Sequence, residues 1–295
     1  MTDEQLFTQV GIRPEPAPTP RRRGTKAGFP WVSALVLGVI VLGCLFAEGV
    51  MTRDPAYLDL ANFSRAPGRD FLFGTDTLGR DIFSGIWYGG RVSLTIGFLA
   101  TVLSTAIAIL YGTLSGIGPA WLDRGMTRFT ELFLSVPGLL LVLFLQAILG
   151  KASVVSLSVV IGCTGWPSMA KVIRTEVRQL RQSGYVVAAK CMGGGFFHIL
   201  GVHLAPNFIA SIMFMVVMNV RGAISTESTL SFLGMGLPLE IISWGSMLSL
   251  AENALMTRAW WMILIPGAFL VAVLLSLTEL GNHLRRQANQ KESNL

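Results

Sequence analysis

The side chains that most often do chemistry are few in this sequence, and they form no recognisable catalytic or metal-binding set. The three histidines, His198, His203 and His283, do not stand at ligand spacing from a cysteine or a carboxylate. Lys151 follows Gly150, but without the Ser or Thr that the phosphate-binding pattern requires next. The sequence therefore predicts no catalytic residue, no metal site and no nucleotide site in this chain.

Composition indicates which elements surround these residues. Of the 295 residues, 52% are apolar and only 14% are charged, whereas soluble domains carry about 25% charged residues. A membrane-crossing helix needs about 20 mostly apolar residues. Six charge-free windows approach or exceed that length, so we expect an all-α integral membrane protein with six transmembrane helices: Trp31–Ala47, Val92–Ala120, Leu132–Gly150, Ala152–Ala170, Leu204–Val220 and Ala259–Thr278.

The positions of Lys and Arg predict how these windows are oriented. With the N-terminus in the cytoplasm, 15 of the 23 basic residues fall on the cytoplasmic side, as the positive-inside rule requires. The net charge of +6 therefore marks topology and not a nucleic-acid partner, and both termini are predicted to be cytoplasmic. This topology gives a Pro/Arg-rich cytoplasmic tail (1–30), a first transmembrane helix (31–48) and an extracytoplasmic amphipathic segment (49–91). A five-helix core (92–284) and a second cytoplasmic tail (285–295) follow.

Within the core, the predicted cytoplasmic loop at 171–206 is not polar throughout. A helix-capable run at 185–192 is followed by Gly193 and two further glycines, which permit a turn with positive φ. An apolar helical pattern then resumes at 196–204. Two short helices with exposed apolar side chains suit insertion into a groove of a partner protein. The alternative is a helical hairpin that lies on lipid headgroups.

On the opposite side, Asp76, Arg80 and Asp81 stand at positions i, i+4 and i+5. This spacing predicts that Asp76 and Arg80 pair on one face of a helix. We expect the apolar side chains at 82–87 to hold an amphipathic segment on the outer membrane surface. Contact with an extracytoplasmic binding protein is the other interpretation of this outer-surface motif.

A further polar group follows the fifth window. Glu227, with Asn219 and Arg221, could line the outer mouth of a pore, or Glu227 and Arg221 could form a structural ion pair. Nearby Phe and Met side chains could form an adaptable apolar gate, or could be ordinary core. The candidates for a pathway or gate are Asn219, Arg221, Glu227, Ser231, Phe232 and Met235.

Four blocks in the same order resemble a known family, the OppC/DppC-like permeases of the dipeptide/oligopeptide/nickel ABC importers. They cover nearly the whole chain after the N-terminal tail. One block, in the predicted cytoplasmic loop, is similar to the loop by which ABC permeases contact their ATPases. The four are Phe73–Ser84, the loop positions Ala188, Ala189, Gly193 and Pro206, the stretch Glu227–Gly236, and Trp260–Gly267.

The resemblance implies a type I ABC-importer permease fold in a bacterial inner membrane. It implies a second permease subunit, two ATPase subunits that hold ATP and Mg, an extracytoplasmic binding protein, and peptides as substrate. Nickel chelates, metallophores or glutathione-like conjugates are alternative substrates, and an ATP-independent carrier or membrane scaffold is an alternative class. The ATPase-coupling residues it implies are Tyr185, Val187, Ala188, Ala189, Lys190, Gly193, His203 and Pro206.

Overall fold

The computed structural model describes residues 28–181, 189, 191–193, 195, 198–251 and 258–292, and this part of the chain is helical without a β-strand. A 3₁₀ turn at Leu60–Asn62 and a π-helical turn at Ile199–Leu204 accompany the α-helices. The α-helices are α1 (Trp31–Leu45), α2 (Ala47–Val50), α3 (Ile82–Ile117), α4 (Ala120–Ser135), α5 (Gly138–Leu149), α6 (Val154–Gly165), α7 (Pro167–Leu180), α8 (Ala205–Phe232), α9 (Trp244–Leu250) and α10 (Trp261–Glu292).

The long helix α3 is the axis of the fold. Its 36 residues extend about 54 Å at 1.5 Å per residue, well beyond the roughly 30 Å of a bilayer's hydrocarbon core. Helices α1, α6, α7 and α8 pack along it. At Gly112 and Gly116 the backbones come so close that an added Cβ would lie 2.6 Å from the Ala170 carbonyl oxygen and 2.7 Å from the Val177 side chain. Small residues at this spacing thus let α3 and α7 meet.

Within the described part of the chain, two helices, α3 and α10, are long and apolar enough to cross a membrane, and α4 and α5 together would pass the same test if counted as one span. Helices α4 and α5 meet at 90°, because Pro137 precedes α5 and Val136 before it is extended. The window Leu132–Gly150 is therefore bent, and not one straight helix as expected. A tight turn around Lys151 joins the next two helices, since α5 ends at Leu149 and Ser153 caps α6.

The outer amphipathic segment is not where the sequence led us to expect it. Residues 82–87 form the first turns of α3 and are not a separate segment. Asp81 caps this helix by accepting a hydrogen bond from the Ser84 amide, and Ile82 and Ile86 are 2% and 0% exposed. A separate segment was the wrong expectation because Asp81 caps the helix eleven residues before the apolar window Val92–Ala120, and the helix begins directly after the cap.

Candidate functional site

The outer-surface motif is a tight turn held by backbone contacts. The Asp76 carboxylate oxygen Oδ1 accepts hydrogen bonds from the amides of Leu78 and Arg80, both at 2.8 Å. The Arg80 guanidinium instead donates to the carbonyl of Leu239 at 3.1 Å. The predicted helical ion pair of Asp76 and Arg80 is therefore wrong, because these residues lie in a turn closed by a bridge between Thr75 and Asp81. Burial raises the pKa of Asp76, against the lowering effect of the two amides.

Two glycines of this motif lie where any other residue would be strained. Gly74 and Gly79 have φ of +76° and +74°, which favours glycine. A Cβ on Gly79 would lie 1.8 Å from the Asp59 carbonyl oxygen. Between them, the buried Thr75 hydroxyl donates to the Asn62 carbonyl at 2.6 Å. The spacing of the motif is thus explained by the fold of the outer segment on itself.

Asp81 joins this outer segment to the membrane helices. Its Oδ2 accepts from the Ser84 hydroxyl at 2.6 Å and from the Thr52 hydroxyl at 3.0 Å. The Ser84 hydroxyl in turn accepts from the Arg53 amide at 3.1 Å. The chain just after α2 is therefore fastened to the start of α3. These contacts give the outer-surface motif a structural role, and binding-protein contact by its exposed parts stays a prediction.

Glu227 is the centre of a buried network of serine hydroxyls. Its carboxylate is 0% exposed and accepts from Ser243 at 2.7 Å, from Ser93 and Ser231 at 3.0 Å each, and from Ser228 at 3.3 Å. Ser93 is on α3, Ser243 caps α9, and the other residues are on α8. One carboxylate thus fastens three helices together.

This geometry contradicts both predicted roles of Glu227, as part of a pore mouth and as the ion-pair partner of Arg221. A side chain with no exposed surface does not line a pore mouth in this structure. The pair with Arg221 is not formed either: Arg221 is exposed, and both carboxylate oxygens bind serines. Among the other pathway candidates, Ser231 belongs to the network, while Phe232 and Met235 are 47% and 53% exposed. Their role as a gate stays a prediction.

A cavity of about 250 Å³, lined by apolar and uncharged polar side chains among the described residues, lies between α3, α5, α6 and α8. Asn219 lines it, and its amide donates to the Ser104 hydroxyl at 3.4 Å. The Thr101 side chain is 4% exposed, and its hydroxyl has no partner among the described residues. No charged side chain contributes to the described wall. The polar side chains of the wall are Thr101, Ser104, Thr164, Asn219 and Thr226.

Sequence reasoning found only Asn219 of this set. The hydroxyl residues were overlooked because single Thr and Ser side chains are common in apolar windows, where they bond to their own helix. One signal was available: Thr101 and Ser104 stand three apart on α3 and share a helix face.

The cytoplasmic end, in the predicted topology, is held by an ionic clamp. Asp123 on α4 is 7% exposed. Its carboxylate accepts hydrogen bonds from the Ser115 hydroxyl on α3 at 2.7 Å and from Arg178 at 3.0 Å. It also accepts one hydrogen bond from Nε and one from Nη2 of the Arg174 guanidinium. The hydrogen bonds from Arg174 lower the pKa of Asp123 to about 2. Both arginines lie within the predicted loop at 171–206, the first part of which is the end of α7 in the structure.

The structure describes part of that loop. Ala189 is 3% exposed and packs with Ile173, Val177 and Ile199. Gly193 has φ +81° and open space around its Cα, which confirms the predicted glycine turn. For His203 and Pro206 the backbone is described, in the π-helical turn and in α8, and the side chains are not. Four coupling candidates lie outside the described residues: Tyr185, Val187, Ala188 and Lys190.

Comparison with known proteins decides the family. Residues 108–288 match the family described as binding-protein-dependent transport system inner membrane component. The chain belongs to this family. The matched residues include the Asp123 clamp, the Glu227 carboxylate and the Asn219 part of the cavity. Thr101 and Ser104, in the second half of α3, precede them.

Individual relatives of this transport component are peptide permeases by name. The chain is 34% identical to the oligopeptide transport system permease protein OppC of Bacillus subtilis (strain 168), over 88% of this chain and 85% of the relative. It is 37% identical to a putative peptide permease protein of Brucella suis biovar 1, over 78% and 76%. It is 34% identical to the dipeptide transport system permease protein DppC of Bacillus subtilis, over 76% and 70%.

A solved structure supports the fold. A chain of the MetNI methionine ABC transporter, in an inward-facing conformation, matches with a TM-score of 0.53 and 16% sequence identity. The match covers 69% of this chain and 95% of the other. The helical core therefore has the fold of an ABC-transporter membrane component.

Proposed function

We propose that the chain is a membrane permease subunit of an ATP-driven ABC importer and forms half of a translocation pathway for peptides. Membership of the binding-protein-dependent transport family carries this proposal. Relatives at 34–37% identity over most of the chain that are named as oligopeptide, dipeptide and putative peptide permeases support the substrate class. A bacterial inner membrane is the location that the family description implies.

The uncharged cavity is the part of the pathway that this chain contributes. Peptide bonds carry one N–H donor and one carbonyl acceptor each, and Thr, Ser and Asn side chains offer both functions in return. The Asn219 amide lines the cavity and makes one long hydrogen bond, to Ser104 at 3.4 Å, so it is the group that can meet a passing amide. A wall without charge does not select for the side-chain charge of the peptide, which suits a carrier of varied sequences.

Energy enters from the cytoplasmic side in this proposal. Two partner ATPases, which hold ATP and Mg, bind the loop at 171–206, and the second permease completes the pathway. The Asp123 clamp joins α7 to α3 and α4, so displacement of the loop is passed to helices that line the cavity. An extracytoplasmic binding protein delivers the peptide. Six spans with both termini in the cytoplasm complete this arrangement.

Affinity purification of the tagged chain, followed by reconstitution, tests the proposal. We expect a second permease and an ATPase to copurify, and vesicles with the complex and its binding protein to take up peptide only with ATP. Gly193→Val is expected to reduce peptide-stimulated ATP hydrolysis without loss of the assembled complex, because Gly193 needs positive φ and contacts nothing else. Ala189→Val serves as the comparison at a buried position of the same loop.

The same experiment separates the alternatives. Uptake without ATP, or purification without any ATPase, would support an ATP-independent carrier or scaffold and overturn the importer assignment. If the binding protein holds a nickel chelate, a metallophore or a glutathione-like conjugate in place of a peptide, the importer assignment stands and the substrate class changes.

A further inference from the structure

An apolar groove on the surface of the helical bundle is separate from the uncharged cavity that Asn219 lines. It is about 390 Å³ in volume and lies between α1, α3, α8 and α10. Its rim includes Val41 and Leu45, whose side chains are 39% and 60% exposed, and its floor includes Cys44 at 1%. The full lining is Leu37, Val41, Cys44, Leu45, Arg91, Leu94, Thr95, Phe98, Val220 and Leu277.

One charged side chain, Arg91, stands at the end of this lining. Its guanidinium donates to the carbonyls of Cys44 and Leu45, at 3.2 and 2.9 Å, where α1 ends. It also forms an ion pair with Glu48 at 3.1 Å. The side chains of Arg91 and Glu48 are 34% and 74% exposed. One end of the groove therefore presents a cation and an anion side by side.

The groove has the length of one lipid chain. Among its lining residues on α1, Leu37 and Leu45 are eight residues apart, which corresponds to about 12 Å along a helix. Half of a bilayer's hydrocarbon core is about 15 Å deep. In the predicted orientation, Arg91 stands at the extracytoplasmic headgroup level, and Leu37 and Leu277 lie toward the bilayer centre.

The geometry points to a binding site for one phospholipid with an ethanolamine headgroup. An acyl chain fills the groove, the phosphate contacts Arg91, and the ammonium contacts Glu48. The adjacent charges of the pair are complementary to a zwitterionic headgroup. A phosphatidylglycerol headgroup has a phosphate for Arg91 but no ammonium for Glu48, so its negative charge would be repelled by the Glu48 carboxylate. The site is independent of the transported substrate.

Lipid retention by the purified importer complex tests this site. The complex is exchanged into detergent, mixed with equal amounts of phosphatidylethanolamine and phosphatidylglycerol, and examined by native mass spectrometry. Val41→Trp places an indole in the groove. Val39→Trp makes the same change on the same helix at a residue that is 56% exposed and not part of the lining. Glu48→Gln removes the predicted ammonium partner and leaves the contacts of Arg91 with α1.

We expect the unaltered and Val39→Trp complexes to retain more phosphatidylethanolamine than phosphatidylglycerol. Val41→Trp should lower this retention about tenfold, equivalent to about 1.4 kcal/mol. Glu48→Gln should keep a bound lipid but lose the headgroup preference. Equal retention in the two tryptophan variants would show non-specific lipid only and overturn the proposal. It would also be overturned if Val41→Trp released the second permease, because that subunit would then be the occupant.

Discussion

The Glu227 network allows a quantitative prediction. Glu227→Ala removes the acceptor of four hydroxyls, and a buried polar group left without a partner costs about 1–3 kcal/mol. If two of the four serines find other partners, the loss of stability is about 2–6 kcal/mol. Glu227→Gln keeps one carbonyl oxygen and most of the volume. It should leave about one hydroxyl without a partner and cost about 1–3 kcal/mol.

Thermal unfolding of the purified importer complex, followed by tryptophan fluorescence, measures these losses. Trp244 is a suitable reporter because it is 0% exposed and follows Ser243 directly. At about 2 °C per kcal/mol for a chain of this size, Tm should fall by about 4–12 °C in Glu227→Ala and about 2–6 °C in Glu227→Gln. The matched controls are Glu240→Ala and Glu240→Gln at an exposed position, and we expect no shift in either.

Two results would refute this reasoning. If Glu227→Ala shifted Tm no more than Glu240→Ala, the serine network would not hold the helices together. If Glu227→Gln were as destabilising as Glu227→Ala, the negative charge would matter more than the number of accepted hydrogen bonds.

Three further predictions concern other parts of the chain. Because the pKa of Asp123 is lowered to about 2, its ionised form contributes about 2 kcal/mol to stability. This contribution is present above about pH 4 and is lost as pH falls toward 2. The Tm difference between the unaltered complex and Asp123→Asn should therefore be smaller at pH 3 than at pH 6, and an equal difference would contradict the assignment. Gly79→Ala should cost at least about 2 kcal/mol from positive φ and contact with Asp59, measured as Tm against Gly125→Ala, which has open space. Asn219→Leu should slow peptide uptake, because the Asn219 amide lines the cavity and makes only a 3.4 Å hydrogen bond to Ser104; unchanged uptake would remove Asn219 from the pathway.

Much of the protein is evident in local sequence. Apolar windows indicated where helical segments lie, although the window Leu132–Gly150 is broken by the bend between α4 and α5, and α3 begins before its window. The ordered blocks led to the family that the comparisons confirm. These features depend on composition, on caps and on glycine positions, which act over a few residues and are readable without the fold.

The sites were harder to predict because their contacts cross the chain. Ser93 and Glu227 are 134 residues apart, and Asp123 and Arg174 are 51 apart. Local spacing paired Asp76 with Arg80, whereas the fold gives Arg80 a partner 159 residues away.

The sequence by itself therefore determined that the chain is an apolar helical membrane component, its family, and which segments are helical. Only the tertiary structure decided which polar side chains are buried, paired or facing a cavity. The physical reason is that burying a carboxylate or hydroxyl is costly unless a partner is supplied, and the partners of Glu227 come from three different helices. Charge placement predicts the orientation, while packing turned Glu227 inward and buried the Thr101 hydroxyl behind the cavity surface.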